Sequence, residues 1–235
     1  MKTLNKNMKI NYEILGMNDV SCQYREFFHT MDYDWWYKVN PEDIVLDIGC
    51  CVGMFTCHAL DLGAKKVYSV EPNSELLKDT AYNAFDHIKN KKESPVVLIN
   101  KAIGNKEIKT GIFGNSEKTE YISFKDLIDE YKIDYIDYLK IDCEGGEYEI
   151  FTEENINFLI NNVKHISVEF HLLDMYKNSK SKFIYFRNNI LNKFEMKNIR
   201  FMYPELYNKI FDDNFVKNNN LTFMMYFCNK SLDNK

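Results

Sequence analysis

The chain has 235 residues, of which 45% are hydrophobic and 28% charged, and its formal net charge is −5. This composition excludes global disorder, and the length favours one α/β domain or at most two small ones. The negative charge argues against a strongly basic nucleic-acid-binding protein, and no run approaches the roughly 20 apolar residues of a membrane span. The first residues are polar and lack the apolar core of a signal peptide, and no two cysteines have C-x-x-C spacing, so we expect reduced cysteines and a cytoplasmic protein.

Short apolar runs alternate with amphipathic segments along the chain. The aromatic-rich residues 21–38 predict an N-terminal helix, and we expect residues 1–39 to form a helical lid over a cofactor or substrate. From residue 40 onward, seven strands are predicted in IVLDIG, KVYSVEP, VVLIN, YIDYLKID, HISVEFH, and around 199–203 and 221–227.

Helices are predicted between these strands. The segments are GMFTCHALDLGA, closed by Gly63; SELLKDTAYNAFDHIK, capped by Ser74; SFKDLIDEYK, capped by Ser123; parts of YEIFTEENINFLINN; and KFIYFRNNILNKF. The Gly-punctuated residues 104–122 predict a hairpin or an irregular loop. This alternation is typical of βαβ units with right-handed crossovers, and it predicts one α/β domain over residues 40–235 with a mainly parallel sheet. Ligands of such sheets bind beyond the carboxyl ends of the strands.

The first predicted strand ends in DIGCCVG, with Asp47, Gly49 and Gly53 in a D-x-G-x-x-x-G pattern, and the second ends at Glu71. The glycines allow a ligand to approach the backbone closely, and Glu71 can accept both hydroxyls of a ribose. The pattern lacks one glycine of the dinucleotide sequence G-x-G-x-x-G, and Asp47 would repel a pyrophosphate. S-adenosylmethionine, with an ammonium, a sulfonium and no phosphate, is therefore favoured over NAD.

The predicted cofactor site comprises the residues of this loop, the first helical turn and the next two strand ends. They are Asp47, Gly49, Cys50, Gly53, Met54, Phe55, Glu71, Pro72, Asn73, Ala102 and Ile103. In the alternative, structural interpretation, the glycines only form a turn and Glu71 only caps a helix.

The fourth and fifth predicted strands also end in polar side chains. Lys140, Asp142 and Glu144 end or follow the fourth strand, and Glu169 and His171 end the fifth. Because neighbouring parallel strands share one edge, we expect these side chains to converge near the reactive end of the cofactor.

Five blocks of this sequence resemble the FkbM family of methyltransferases: VLDIGCCVGMF, KVYSVEPN, ISFKDLI, YLKIDCEGGEYEIF and ISVEFH. The resemblance covers about residues 40–172. It implies a class I Rossmann-like methyltransferase fold with a seven-stranded sheet and helices on both faces. It also implies methyl transfer from S-adenosylmethionine to oxygen, often on a sugar or polyketide hydroxyl. The pairs Cys50-Cys51 and Gly145-Gly146 differ from the commoner residues of the family, which leaves the local loop shape open.

An aliphatic hydroxyl is a poor nucleophile, so a base or a metal should remove its proton. His171 and Asp142 are the candidate bases, and Glu144 is a further catalytic candidate. Lys140 is expected to orient Asp142 or Glu144, or to offset their charge. Alternatively, Asp142, Glu144, Glu169 and His171 hold a divalent cation. Glu147 and Glu149 are expected on a solvated helix face.

The leading functional hypothesis is an O-methyltransferase for a hydroxyl of a sugar, a glycan or a related small molecule. The second is an RNA ribose methyltransferase, in which Lys140, Asp142 and Glu169 would reproduce part of a Lys-Asp-Lys-Glu set. The acidic charge makes nucleic acid the less favoured partner. The third is a non-catalytic glycan-binding module on the same fold.

Overall fold

The computed structural model describes residues 32–34, 36–89, 92–104, 119–201 and 204–232. Most of the predicted N-terminal helix therefore lies outside the described residues. Asp32–Asp34 form one 3₁₀ turn, and residues 36–40 are not helical. Tyr37 instead stacks on His165, with ring centroids 3.7 Å apart, and donates a hydrogen bond to Asp43. These contacts explain why the predicted helix does not extend to residue 38.

The predicted α/β fold with a mainly parallel seven-stranded sheet is confirmed. Its strands are β1 (Ile44–Ile48), β2 (Lys66–Val70), β3 (Val96–Ile99), β6 (Ile136–Ile141), β7 (Val163–Leu172), β8 (Glu195–Arg200) and β9 (Leu221–Cys228). They lie in the order β3-β2-β1-β6-β7-β9-β8. The first five run parallel, and β9 pairs antiparallel with both β7 and β8. The sixth predicted strand begins earlier than the sequence indicated, at Glu195.

A separate pair of short strands lies beside this sheet, β4 (Ala102–Ile103) and β5 (Tyr121–Ile122). The two strands pair in parallel. The strands that flank the segment predicted as a hairpin are therefore not hairpin partners, and residues 105–118 lie outside the described residues.

Seven helices are found in the described residues: α1 (Met54–Asp61), α2 (Ser74–Asn83), α3 (Phe85–Ile88), α4 (Phe124–Tyr131), α5 (Ile156–Asn162), α6 (Ser179–Asn189) and α7 (Asp213–Asn218). Short 3₁₀ helices add Glu147–Glu149, Leu191–Lys193 and Pro204–Phe211. The prediction that Ser123 caps a helix is confirmed, since its side chain accepts a hydrogen bond from Asp126 N. The predicted Ser74 cap is wrong. Asn73 caps α2 by accepting from Glu75 N and Leu76 N, because Ser74 is already the first helical residue.

Two clusters of buried apolar side chains cover the two faces of the sheet. Successive strand residues point to opposite faces, so Tyr138 and Tyr226 join one cluster whereas Leu139 and Phe227 join the other. Phe55 of α1 packs in the first cluster. Within the described residues, no helix combines the length and the apolar character that crossing a bilayer requires.

Candidate functional site

The loop between β1 and α1 lies directly against the end of β6. Gly49 and Gly53 have φ angles of 79° and 81°, a region that side chains rarely adopt. A Cβ atom on Gly49 would lie 1.6 Å from the carbonyl oxygen of Asp142. Only glycine therefore allows this loop to close on the neighbouring strand.

Backbone hydrogen bonds join the same loop to the end of β2. Gly49 N and Cys50 N donate to Val70 O at 2.9 and 3.0 Å. Cys51 N donates to Glu71 Oε2 at 3.2 Å, and Asn73 N donates to Oε1 at 2.8 Å. The structure thus brings together the glycine loop and the acidic strand end that the cofactor hypothesis requires.

Glu71 is buried, with 5% of the residue exposed. Burial raises its pKa to about 7, although the N–H groups of Asn73 and Cys51 and the charge on Lys140 lower it. A carboxylate has about four acceptor positions, so two backbone donors leave capacity for two ribose hydroxyls. Glu71 therefore fits the ribose of an adenosyl cofactor.

Asp47 and Lys140 stabilise the loop between β1 and α1 from its buried side. Asp47 is fully buried, accepts a hydrogen bond from Thr56 Oγ1 at 2.7 Å, and lies 3.3 Å from Lys140 Nζ. Lys140 Nζ donates to Gly49 O at 2.6 Å. Burial raises the pKa of Asp47, and the charge on Lys140 partly offsets this effect. Both side chains are thus engaged with protein groups.

The other predicted cofactor residues divide between the core and the loop surface. Cys50, Met54 and Phe55 are buried, and the Phe55 ring packs 5.6 Å from that of Tyr33 in the core. Pro72 and Asn73 are half-buried beside Glu71, whereas Ala102 and Ile103 form the buried strand β4.

Polar side chains from the ends of β6 and β7 converge next to this loop. Asp142 N donates to Ile48 O at 3.0 Å, which fixes the end of β6 against β1. Asp142, Glu144 and His171 each offer one ligating atom, and these atoms all lie within 4.8 Å of one another. Glu169, two residues before His171 on β7, does not belong to this group.

The expectation that Glu147 lies on a solvated face is wrong. Its side chain is fully buried, and Oε1 accepts hydrogen bonds from Gly145 N at 3.1 Å and from His171 Nδ1 at 2.5 Å. The turn after β6 folds the chain back, so the 3₁₀ helix Glu147–Glu149 lies beneath the end of β7. Glu149 is half-buried and forms an ion pair with Lys182 at 2.6 Å.

The His171 side chain is held between carboxylates. Burial lowers the pKa of His171, but the charge of Glu147 and its hydrogen bond outweigh burial and raise the pKa well above the usual value. On the opposite side of the ring, Nε2 lies 3.7 Å from Glu144 Oε2. Tyr176 donates to that same oxygen at 2.7 Å.

Tyr33 reaches this group from the segment predicted as a lid. Its hydroxyl donates to Asp142 Oδ2 at 2.9 Å, and Lys140 Nζ lies 5.3 Å from the centre of its ring. Tyr138 donates to the Tyr33 carbonyl at 2.5 Å and holds the backbone there. Neither Tyr33 nor Glu147 was among the candidates from sequence. The nearest sequence signal for Glu147 is the Gly145-Gly146 pair, which permits a sharp turn.

A family model described as the methyltransferase FkbM domain matches residues 47–205, more than half of the chain. No curated protein matches the sequence. Among solved structures, a proposed rRNA-methylase from Clostridium thermocellum is 13% identical, with a TM-score of 0.50 over 89% of this chain and 95% of that one.

Two further solved structures are similar. An rRNA methylase from Streptococcus thermophilus is 16% identical, with a TM-score of 0.48 over 85% of this chain and 94% of that one. A proposed S-adenosylmethionine-dependent methyltransferase from Listeria monocytogenes is 11% identical, with a TM-score of 0.49 over 86% of this chain and 97% of that one. At 13% identity, the similarity to the Clostridium thermocellum structure speaks for the fold alone.

Proposed function

The chain belongs to the FkbM methyltransferase family, and from this premise we propose that it methylates a hydroxyl oxygen of a sugar, a glycan or a related small molecule. One observation carries the proposal. The Gly49 loop, with Glu71 on one side, touches the carbonyl of Asp142 on the other. A cofactor held by the loop and an acceptor held by the Asp142, Glu144 and His171 group would therefore be neighbours.

On the donor side, bound S-adenosylmethionine supplies a methyl group activated by its sulfonium. Glu71 accepts hydrogen bonds from the ribose hydroxyls, and the loop from Gly49 to Gly53 allows close contact with the backbone. Lys140 holds the loop by its bond to the Gly49 carbonyl. Holding donor and acceptor in line supplies much of the rate enhancement.

On the acceptor side, the hydroxyl oxygen attacks the methyl carbon and loses its proton. His171 and Asp142, the two bases left open by the sequence, lie in the same group and face the same space. Glu147 fixes the His171 ring through Nδ1, so that Nε2 is directed towards Glu144. The surrounding carboxylates favour positive charge during the transfer.

Two contacts favour a small hydroxyl acceptor over an RNA ribose. A Lys-Asp-Lys-Glu mechanism needs the amine of Lys140 at the acceptor, but this amine is buried and bonded to Gly49 O beside Asp47. Glu169, the carboxylate of that set, is outside the convergent group.

A fully buried Glu147 bonded to His171 also supports a catalytic protein over a binding module, because buried charges are costly to retain.

Calorimetric titration with S-adenosylmethionine, S-adenosylhomocysteine and NADH tests the donor half of the proposal. We expect saturable binding of the two adenosyl ligands only, lost in Glu71→Ala. The matched control is Glu75→Ala, which removes an exposed glutamate paired with Lys78 on α2. Normal binding by Glu71→Ala would refute the assigned cofactor site.

Transfer of a labelled methyl group to a panel of sugars, glycans and RNA tests the acceptor half. Alkali-stable label in a carbohydrate is the expected result. Label in RNA ribose instead would refute the proposed acceptor class and leave the methyltransferase activity intact.

A further inference from the structure

We propose that Asp142, Glu144 and His171 form a binding site for one divalent cation, of which Mn²⁺ and Mg²⁺ are the best candidates. The site would lie where the proposed acceptor hydroxyl binds. The cation's role in catalysis rests on the proposed function, whereas its binding does not.

The first argument is the donor set. The three ligating atoms lie within 4.8 Å of one another, so small rotations of the side chains would bring them onto one ion. Two carboxylates and one imidazole form a ligand set that suits hard or borderline divalent ions. The set supplies three ligands and leaves positions for water or a hydroxyl.

The second argument is independent of the group itself. Histidines that bind metals almost always donate their other ring nitrogen to a carboxylate or carbonyl, which fixes the ring and its tautomer. His171 has this arrangement, because Nδ1 donates to the fully buried Glu147 at 2.5 Å. The His171 side chain is only 6% exposed, and Nε2 lies 3.7 Å from Glu144, beyond hydrogen-bond distance. The buried Nε2 is thus aimed into the group, with its carboxylate neighbour at ion-pair distance and no hydrogen bond formed to it.

The two carboxylates have outer partners as well. Tyr33 donates to Asp142 at 2.9 Å, and Tyr176 donates to Glu144 at 2.7 Å. Each of the three ligands is therefore oriented by one further side chain, as preorganised metal sites require.

The charge balance also favours a cation. Glu147 adds a third carboxylate to the group; among the described residues, the cationic side chains facing these carboxylates are His171, paired with Glu147, and Lys140, whose Nζ lies 3.7 Å from Asp142 Oδ2. Lys140 Nζ is closer to Gly49 O and to Asp47, at 2.6 and 3.3 Å. Its positive charge therefore interacts mainly with these two groups and less with Asp142. A bound divalent ion would neutralise the remaining negative charge.

In the reaction, the cation would bind the acceptor hydroxyl and lower its pKa. The carbon–sulfur bond of the donor breaks, its electron pair stays on sulfur, and a bond forms between the methyl carbon and the oxygen. With the cation bound, His171 and Asp142 would act as its ligands in place of their role as bases, and the hydroxyl proton would pass to water at the open side of the site, where the Asp142 side chain is 24% exposed. No oxidation or reduction occurs.

The test uses the full chain, stripped with a chelator and titrated with Mn²⁺ while the electron paramagnetic resonance signal of free Mn²⁺ is recorded. We expect one ion per chain. Removing an outer-shell partner typically weakens metal binding about 10–100-fold. Asp142→Asn and Glu144→Gln change ligands themselves, so each should weaken Mn²⁺ binding by at least this factor. Both variants keep an acceptor for the tyrosine hydroxyls, so folding should persist, and circular dichroism checks this. The control His87→Gln removes another histidine–carboxylate pair, His87–Asp61 at 3.5 Å, and should bind Mn²⁺ normally.

Two results would overturn the proposed cation site. One is the absence of saturable Mn²⁺ binding, and the other is equal binding by the wild type and both folded ligand variants. Methyl transfer that persists at full rate in the chelator would overturn the catalytic role and leave the proposed function standing. Mn²⁺ binding by a protein that does not bind S-adenosylmethionine would keep the metal site and refute the methyl transfer.

Discussion

Substitution of Gly49 by alanine should separate the end of β1 from the end of β6. A Cβ atom there would lie 1.6 Å from the Asp142 carbonyl oxygen and 2.7 Å from its carbonyl carbon. Both are backbone atoms, so no side-chain rotation relieves the clash. The two halves of the candidate site meet at this contact, and the substitution should therefore weaken both.

Gly63 provides a matched control, because it also has a positive φ, 97°. The nearest atoms to a Cβ at Gly63 are those of Pro41, at 3.4 Å, which is an ordinary contact. Gly63→Ala should therefore cost only the conformational strain of about 1–2 kcal/mol. Gly49→Ala should add an overpacking cost of about 1–3 kcal/mol, for a total of about 2–5 kcal/mol.

Urea denaturation of both variants measures these costs, with thermal midpoints as a check. For a chain of this size, each kcal/mol lowers the midpoint by about 2–4 °C. Calorimetry with S-adenosylmethionine should show weakened binding in Gly49→Ala and normal binding in Gly63→Ala. Equal destabilisation of the two variants would refute the argument, since only Gly49 has a backbone atom in the way.

Three further predictions concern single side chains. The pKa of Glu71 is about 7, and its ionised form accepts the ribose hydroxyls. The affinity for S-adenosylmethionine, measured by calorimetry, should therefore rise about tenfold from pH 6 to pH 8. A flat wild-type profile, or the same pH dependence in Glu71→Gln, would contradict this. Tyr33→Phe removes a hydrogen bond to a charged group and should cost about 1.5–3 kcal/mol in urea denaturation; unchanged stability would show that the Asp142 contact is not formed in solution. Asn73→Ala should cost about 1 kcal/mol as a lost helix cap, and Ser74→Ala much less; the reverse order in thermal melts would restore Ser74 as the cap.

The strands were predictable because their apolar runs are short and bounded by polar or glycine residues. β1 and β6 are buried on both faces, so their sequences are mainly apolar, interrupted only by Asp47 in β1 and by Asp137 and Lys140 in β6, and this pattern identifies central strands. The cap of α2 was mistaken by one residue, because asparagine and serine are both good caps and adjacent. Backbone geometry at Asn73, and not residue type, decides between them.

The site was predictable only where a side chain follows directly from a strand end. Asp142, Glu144 and His171 were found in this way. Glu147 was missed because glutamate is almost never fully buried unless it is paired, and its partner His171 lies 24 residues further along the chain. Tyr33 was missed because its partner Asp142 is also distant in sequence, 109 residues away.

The position of β9 has a consequence for the order in which the sheet can be completed. β9 is the last described strand in sequence, but it lies between β7 and β8 in space. Eight residues of β7, from His165 to Leu172, pair with it. During synthesis, β7 and β8 therefore leave the ribosome with unpaired edges, and β8 has no sheet partner within the described residues until 221–228 arrive. Such edges are templates for pairing with other chains. We therefore expect the newly made chain to expose more strand edge before β9 inserts than the finished sheet does, in which only the outer edges of β3 and β8 remain among the described strands.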